Sequence, residues 1–251
     1  MTNLFRKIRK KLLSEEKIWK YLKYAFGEIV LIVIGILIAI QVNNYNEKHQ
    51  YKNAAIEHLE ILKQDLIEDS IAIDNLTSEA NTQLQISERL LNNFKLIHPV
   101  NDTTMSDMVS LSFEFNFKLN RKGLMILINS GEISHLELKV QNLITSFYDV
   151  AESIIERENL SNNFIRDKYE SYVFNEYSYI FRKGNPLPIL AEFYKNDKRE
   201  PAKLQEEKFI KDSYFESLVT ARKYQILKQL EYYYQAQNLI EKIIDEIDTK
   251  D

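Results

Sequence analysis

The chain has no cysteine, and only five glycines, four prolines, four histidines and one tryptophan among 251 residues. Without cysteine there is no disulfide, no thiolate nucleophile and no cysteine-bound zinc. So little glycine and proline leaves few hairpin turns. The abundant Leu, Ile, Glu, Lys, Gln and Asn favour helices, so the expected class is all-α. The phosphate-binding loop, the dinucleotide fingerprint, Gly-x-Ser-x-Gly and HExxH are all missing. No catalytic residue, cofactor or metal ligand is therefore expected, and the chain reads as a non-enzyme.

What is present is one long apolar run, residues 28–41, interrupted by no charge after Glu28. It widens to residues 24–42, whose nineteen positions reach roughly 28 Å at about 1.5 Å per residue, the thickness of a hydrocarbon core. A buried core helix could be as apolar, but the flanks favour a transmembrane helix. Trp19, Tyr21 and Tyr24 stand on one side and Tyr45 on the other, the aromatic positions of two interfaces. Before the run, Arg6, Lys7, Arg9, Lys10, Lys11, Lys17, Lys20 and Lys23 oppose only Glu15 and Glu16, a net of plus six in a chain of net charge minus four. The positive-inside bias then puts the N-terminus in the cytoplasm, and residues 43–251 in the periplasm of an inner-membrane, single-pass protein. No small-x-small site follows the run, so the anchor is read as uncleaved. The acidic outer part argues against nucleic acid as a partner, whereas the basic segment 1–23 suits the anionic surface of a lipid bilayer.

Several short motifs mark the N-terminal region: Arg6-Lys7-Ile8-Arg9, Tyr21-Leu22, Tyr24-Ala25, Gly27-Glu28-Ile29, Ile34-Gly35-Ile36-Leu37-Ile38-Ala39, Gln41 and Asn43-Asn44-Tyr45-Asn46-Glu47. In these the chain resembles a family of uncharacterised single-pass membrane proteins widespread in Bacteroidota, with Tyr45 where that family more often has Trp. A looser likeness lies at residues 124–136, around Asn129-Ser130-Gly131. The resemblance implies an inner-membrane protein with a helical outer domain, and it implies no activity.

Leu4, Phe5, Ile8 and Leu12 suggest an interfacial helix over 4–13, and Ser14 a cap for the next. Asn43, Asn44 and Asn46 form the expected hinge between anchor and outer domain. Beyond it, Leu59, Leu62, Leu66, Ile73, Leu76, Ala80, Leu84, Leu91 and Phe94 keep one helical stripe. Residues 98–104 read as a loop, 105–115 and 120–130 as helices, and Gly131 as a C-terminal cap. Leu138, Leu143, Phe147, Val150 and Ile154 mark another helix, with Asn159, Asn162 and Asn163 as an interruption. Residues 183–201 read as a loop region with a short helix at 189–194. A last helix over 213–248 carries Phe215, Leu218, Ile226, Leu230, Tyr233, Ile240, Ile244 and Ile247. None of these stripes can be buried alone, so an elongated antiparallel bundle is expected.

Candidate sites are few. Gly27, Leu31, Gly35 and Ala39 recur every fourth residue, a small-residue face for packing against another membrane helix. Glu28 is an acid just inside the membrane boundary that either snorkels or meets a partner helix. Glu132-x-x-His135 matches half of a di-iron motif, but the second copy is missing, and a surface turn is the simpler reading. Tyr172, Tyr177, Tyr179, Phe181, Phe193 and Tyr194 belong to an aromatic series read as a candidate partner surface, against the alternative of filling between helices. The leading functional reading is a periplasmic interaction or scaffold protein, working as a homo-oligomer or with another envelope protein. The alternative is a ligand-sensing subunit with a separate signalling partner, and an envelope enzyme comes third.

Overall fold

The computed structural model describes Arg6 and residues 18–181, 192–200 and 203–249. The interfacial helix expected at 4–13, the Ser14 cap and most of the loop opening at Lys183 lie outside the described residues. All regular structure in the described residues is helical. In order the elements are α1 (Ile18–Phe94), α2 (Asp102–Ser110), α3 (Lys122–Asn129), a 3-10 turn (Glu132–His135), α4 (Leu138–Phe164), a π-helical turn (Ile165–Glu170), α5 (Ser171–Glu176), a second 3-10 turn (Ser178–Phe181), α6 (Glu206–Ile210) and α7 (Ser213–Asp248).

Contacts divide the chain into two units, Met1–Ile56 and Glu57–Asp251. In the first, α1 carries the stretch Leu22–Glu47, long and apolar enough to cross a membrane and with none of its most apolar window buried. The backbone stays helical through Asn43, Asn44 and Asn46, so the expected hinge is not a break in the helix. Asn43 donates its amide to Glu47 Oε1 at 2.9 Å, one turn on, so that its side chain does not compete with the helical backbone bonds.

The second unit is built on three long helices. Ser70 of α1 donates to Gln237 of α7 at 2.9 Å, and Lys223 of α7 to Glu88 of α1 at 3.0 Å, so α7 runs antiparallel to α1. Lys139 pairs with Glu246 and Arg222 donates to Ser161, which sets α7 antiparallel to α4 as well. Hence α1 and α4 share a direction. The expected stripe on α1 packs inward, with Leu62, Leu66, Ile73 and Ala80 fully buried and Leu76, Leu84 and Leu91 packed at its edge. On α4 the buried face is Val140, Ile144, Phe147, Ala151 and Ile154, rotated from the expected one, and Leu138 is exposed.

The link between α1 and α4 differs most from expectation. Helix α2 begins at Asp102, within the stretch read as loop, because the Asn101 side chain accepts from the Thr103 and Thr104 N–H groups while Thr104 Oγ1 accepts from Asn101 N, a capping box. Residues 113–121 form no helix, although 105–115 was expected to be helical, and residues 114–118 alternate in burial as an extended chain does. Their Phe-Glu-Phe-Asn-Phe-Lys-Leu alternation buries Phe115 and Phe117 and exposes Glu114, Asn116 and Lys118. A Cβ at Gly123 would lie 2.4 Å from the Leu62 Cα, so only glycine lets α3 approach α1 this closely. Gly131, at φ +76°, closes the turn after α3 as a C-terminal cap does. The asparagine patch at 159–163 does not interrupt α4, and the irregularity comes just after it as the π-helical turn.

Candidate functional site

An extended segment with no strand beside it must satisfy its peptide groups elsewhere. Here side chains of the three long helices do it. From α1, Asp65 accepts from Gly123 N at 2.6 Å, Asp69 Oδ1 accepts from Asn120 N at 3.1 Å and from its side-chain amide at 2.9 Å, and Gln83 donates to the Phe113 carbonyl at 3.2 Å. From α4, Asn162 accepts from Phe115 N at 3.3 Å and donates to Phe115 O at 2.7 Å, as a neighbouring strand would. Glu158 accepts from Phe117 N and from the Tyr233 hydroxyl, each at 2.6 Å. From α7, Arg222 donates to Phe113 O at 3.1 Å, to Gln83 Oε1 at 2.6 Å and to Ser161 Oγ at 2.5 Å.

This polar layer is the strongest concentration of buried chemistry in the described residues. Arg222 is fully buried, these three acceptors are all neutral oxygens, and its guanidinium lies 5.2 Å from the Phe115 ring centroid. Burial lowers its pKa to about 10, so it stays protonated at neutral pH. Burial likewise raises Asp69 to about 6, against the lowering effect of its bonds from Asn120 and with a further raise from Asp65 and Glu68. Glu158 is raised by burial more than the Tyr233 and Phe117 bonds lower it. The carboxylates are spent on main-chain N–H groups, which makes them structural acceptors rather than a facing acid and base. Among the described residues no group of three or more His, Asp or Glu is placed to hold a metal ion.

The aromatic series is split by the fold. Tyr177 is fully buried and donates to Asp212 at 2.6 Å, so it is not part of an exposed surface. Tyr172 donates to the same carboxylate at 2.9 Å, and Asp212 in turn caps α7 by accepting from Phe215 N at 2.9 Å. Tyr179, half-buried, accepts from Gln205 N at 3.3 Å. These rings pack with Phe94, Phe209 and Phe215, the first two stacked at 4.5 Å, because tyrosine offers apolar area with one polar tip to satisfy. Phe193 is 79% exposed with its edge toward Tyr194, while the side chain of Phe181 lies outside the described residues. Glu132 is buried against His58 of α1 rather than sitting on a surface turn. Gly27, Leu31, Gly35, Ala39 and Glu28 all lie in or beside the apolar stretch of α1, and a Cβ at Gly27 or Gly35 would meet nothing within 4 Å.

Comparison marks out a region that holds part of the polar layer and most of the apolar stretch. Residues 28–151 match the model of a family of unknown function (DUF6090). The match covers just under half of the chain and takes in the extended segment together with Asp65, Asp69 and Gln83. It also runs well beyond the N-terminal motifs. No curated protein and no solved structure matches the chain. Sequence reasoning missed Arg222, Glu158 and Asn162, although one signal was available: a positively charged or amide residue inside an otherwise apolar helical stripe.

Proposed function

We propose that the chain is a membrane-anchored helical interaction protein, inserted by residues 24–42 with its N-terminus in the cytoplasm and residues 43–251 in the periplasm. The observation that carries this reading is the stretch Leu22–Glu47, with mean hydropathy 2.5 in a window of which none is buried. A core helix of equal hydropathy is normally covered by its own protein. An apolar helix left uncovered this way has a bilayer as its natural solvent. The basic flank before the stretch supplies the orientation. The use of buried carboxylates as main-chain acceptors supports binding rather than catalysis as the role of the outer domain.

Topology and role are tested separately. Alkaline phosphatase fused after Asp251 is expected to be active and membrane-bound, and an inactive fusion overturns the orientation. Affinity purification from native membranes in mild detergent is expected to bring down a stoichiometric partner or a defined homo-oligomer. Recovery of a lone monomer with a bound small molecule would replace the interaction reading by a ligand-binding one.

A further inference from the structure

Two carboxylate contacts tie α3 and the turn after it to α1. At the start of α3, Asp65 of α1 accepts from Gly123 N at 2.6 Å. Beyond its end the roles reverse, because Glu132 on the 3-10 turn meets His58 of α1 with 2.5 Å between Glu132 Oε2 and His58 Nδ1. The Glu132 side chain is 5% exposed, and this is the one hydrogen bond to its carboxylate among the described residues. The imidazole keeps 28% of its side-chain surface open to solvent, so a proton can enter and leave it. A buried carboxylate thus depends on the one kind of side chain that ordinarily changes charge between pH 5 and 8.

We propose that His58 and Glu132 form a pH-sensitive latch, which holds the turn after α3 against α1 when the imidazole is protonated and loosens it when the imidazole is neutral. A protonated ring makes a charge-assisted bond to the carboxylate, roughly twice as strong as the bond from a neutral N–H. It also sets an opposite charge against a buried acid that otherwise has none. The other charged groups of the region are committed elsewhere or belong to the turn itself. One turn away on α1 stand Ala54, Ala55, Ile61 and Leu62, and α3 has no charge beyond Lys122 at its start. Lys63 of α1 pairs with Asp248 of α7, and Lys139 of α4 with Glu246 of α7. His135 on the turn and Glu137 just after it complete the titratable groups there. Ile133 and Leu136 pack at the edge of the core, so a loosened turn uncovers apolar surface as pH rises. The latch lies within Glu57–Asp251 and does not depend on the anchor.

Hydrogen exchange of the full-length protein in detergent tests this, read as protection factors over residues 132–136 at pH 6.5 and pH 8. In the parent, protection is expected to fall about fivefold between the two, the difference between a charge-assisted and a neutral bond. His58→Gln keeps a donor for Glu132, and Glu132→Gln keeps an acceptor for His58. In both variants protection is expected to be the same at the two pH values, while His135→Gln responds as the parent does. Asp69 titrates in all four proteins and cancels in the comparison. A parent without a response overturns the latch, and so does a response that persists in His58→Gln and Glu132→Gln. Equal loss of protection at Ile240 of α7 also overturns it, because the whole bundle rather than the turn would then be answering to pH.

Discussion

Asp69 shows how a single buried side chain ties stability to pH. Its carboxyl is fully buried, with Oδ1 taken by Asn120 and Oδ2 without a protein partner. The native pKa of about 6 lies above the ordinary 3.8, so between these values the folded state binds the proton more tightly than the unfolded one. The contribution of this group to stability is therefore largest below about pH 4, declines as pH rises to about 6, and is then flat. Asp69→Asn keeps an acceptor for Asn120 and removes the charge. The variant is expected to exceed the parent by about 1–2 kcal/mol at pH 7, less than the full cost of a two-unit shift because the new amide donor lacks a partner. Denaturant unfolding of both proteins at pH 4, 5 and 7 measures this, and the advantage should shrink as pH falls. A constant difference across the three would mean that Asp69 titrates alike in the folded and unfolded protein, so that burial does not raise its pKa.

At the scale of elements, the extended segment depends on helices that come far before and far after it in sequence. Asn162 is the clearest case, since its amide closes both the N–H and the C=O of Phe115. Asn162→Ala leaves two buried peptide groups unpaired, at about 1–3 kcal/mol each. A loss of about 3 kcal/mol is expected, with faster hydrogen exchange at the Phe115 amide and little change at Ile240. Uniformly faster exchange would show that Asn162 supports the whole bundle rather than the segment. The same arrangement explains what was legible in the sequence. The helices α1, α4 and α7 announce themselves by apolar stripes of helical period, and Gly131 by the left-handed turn it permits. The segment 113–121 carries a plain two-residue alternation, but with no second strand nearby and no turn between strands its two ends, 113–115 and 120–121, read as parts of the flanking helices. Its hydrogen-bond partners are side chains 28 to 109 positions away, and no local pattern encodes them. The burial of Tyr177 was hidden for a similar reason, because the Asp212 that accepts its hydroxyl lies 35 residues further on.

Over the whole molecule the apolar residues of the described chain fall into two separate sets. The buried cluster of the second unit runs from Leu59 to Ile247 and includes no residue of the stretch Leu22–Glu47. That separation makes the proposed anchor testable without touching the bundle. Ile34 and Ile38 are 49% and 57% exposed and lie one turn apart in the middle of the stretch. Replacing both by arginine costs about 3 kcal/mol per charge on insertion scales, before any snorkelling, enough to defeat insertion of a helix this short. Ile34→Arg/Ile38→Arg protein is expected to leave the membrane fraction, or to lose the phosphatase activity of a fusion at Asp251. The thermal midpoint of the residues from Glu57 onward should stay within a few degrees of the parent measured in detergent. If the apolar stretch were instead a core helix of the outer domain, two buried arginines would lower that midpoint steeply, because an unpaired charge in a packed interior is among the most destabilising changes a protein can carry. The two readings thus predict opposite behaviour for one variant: lost membrane association with an intact bundle, or a collapsed bundle whatever fraction it is found in.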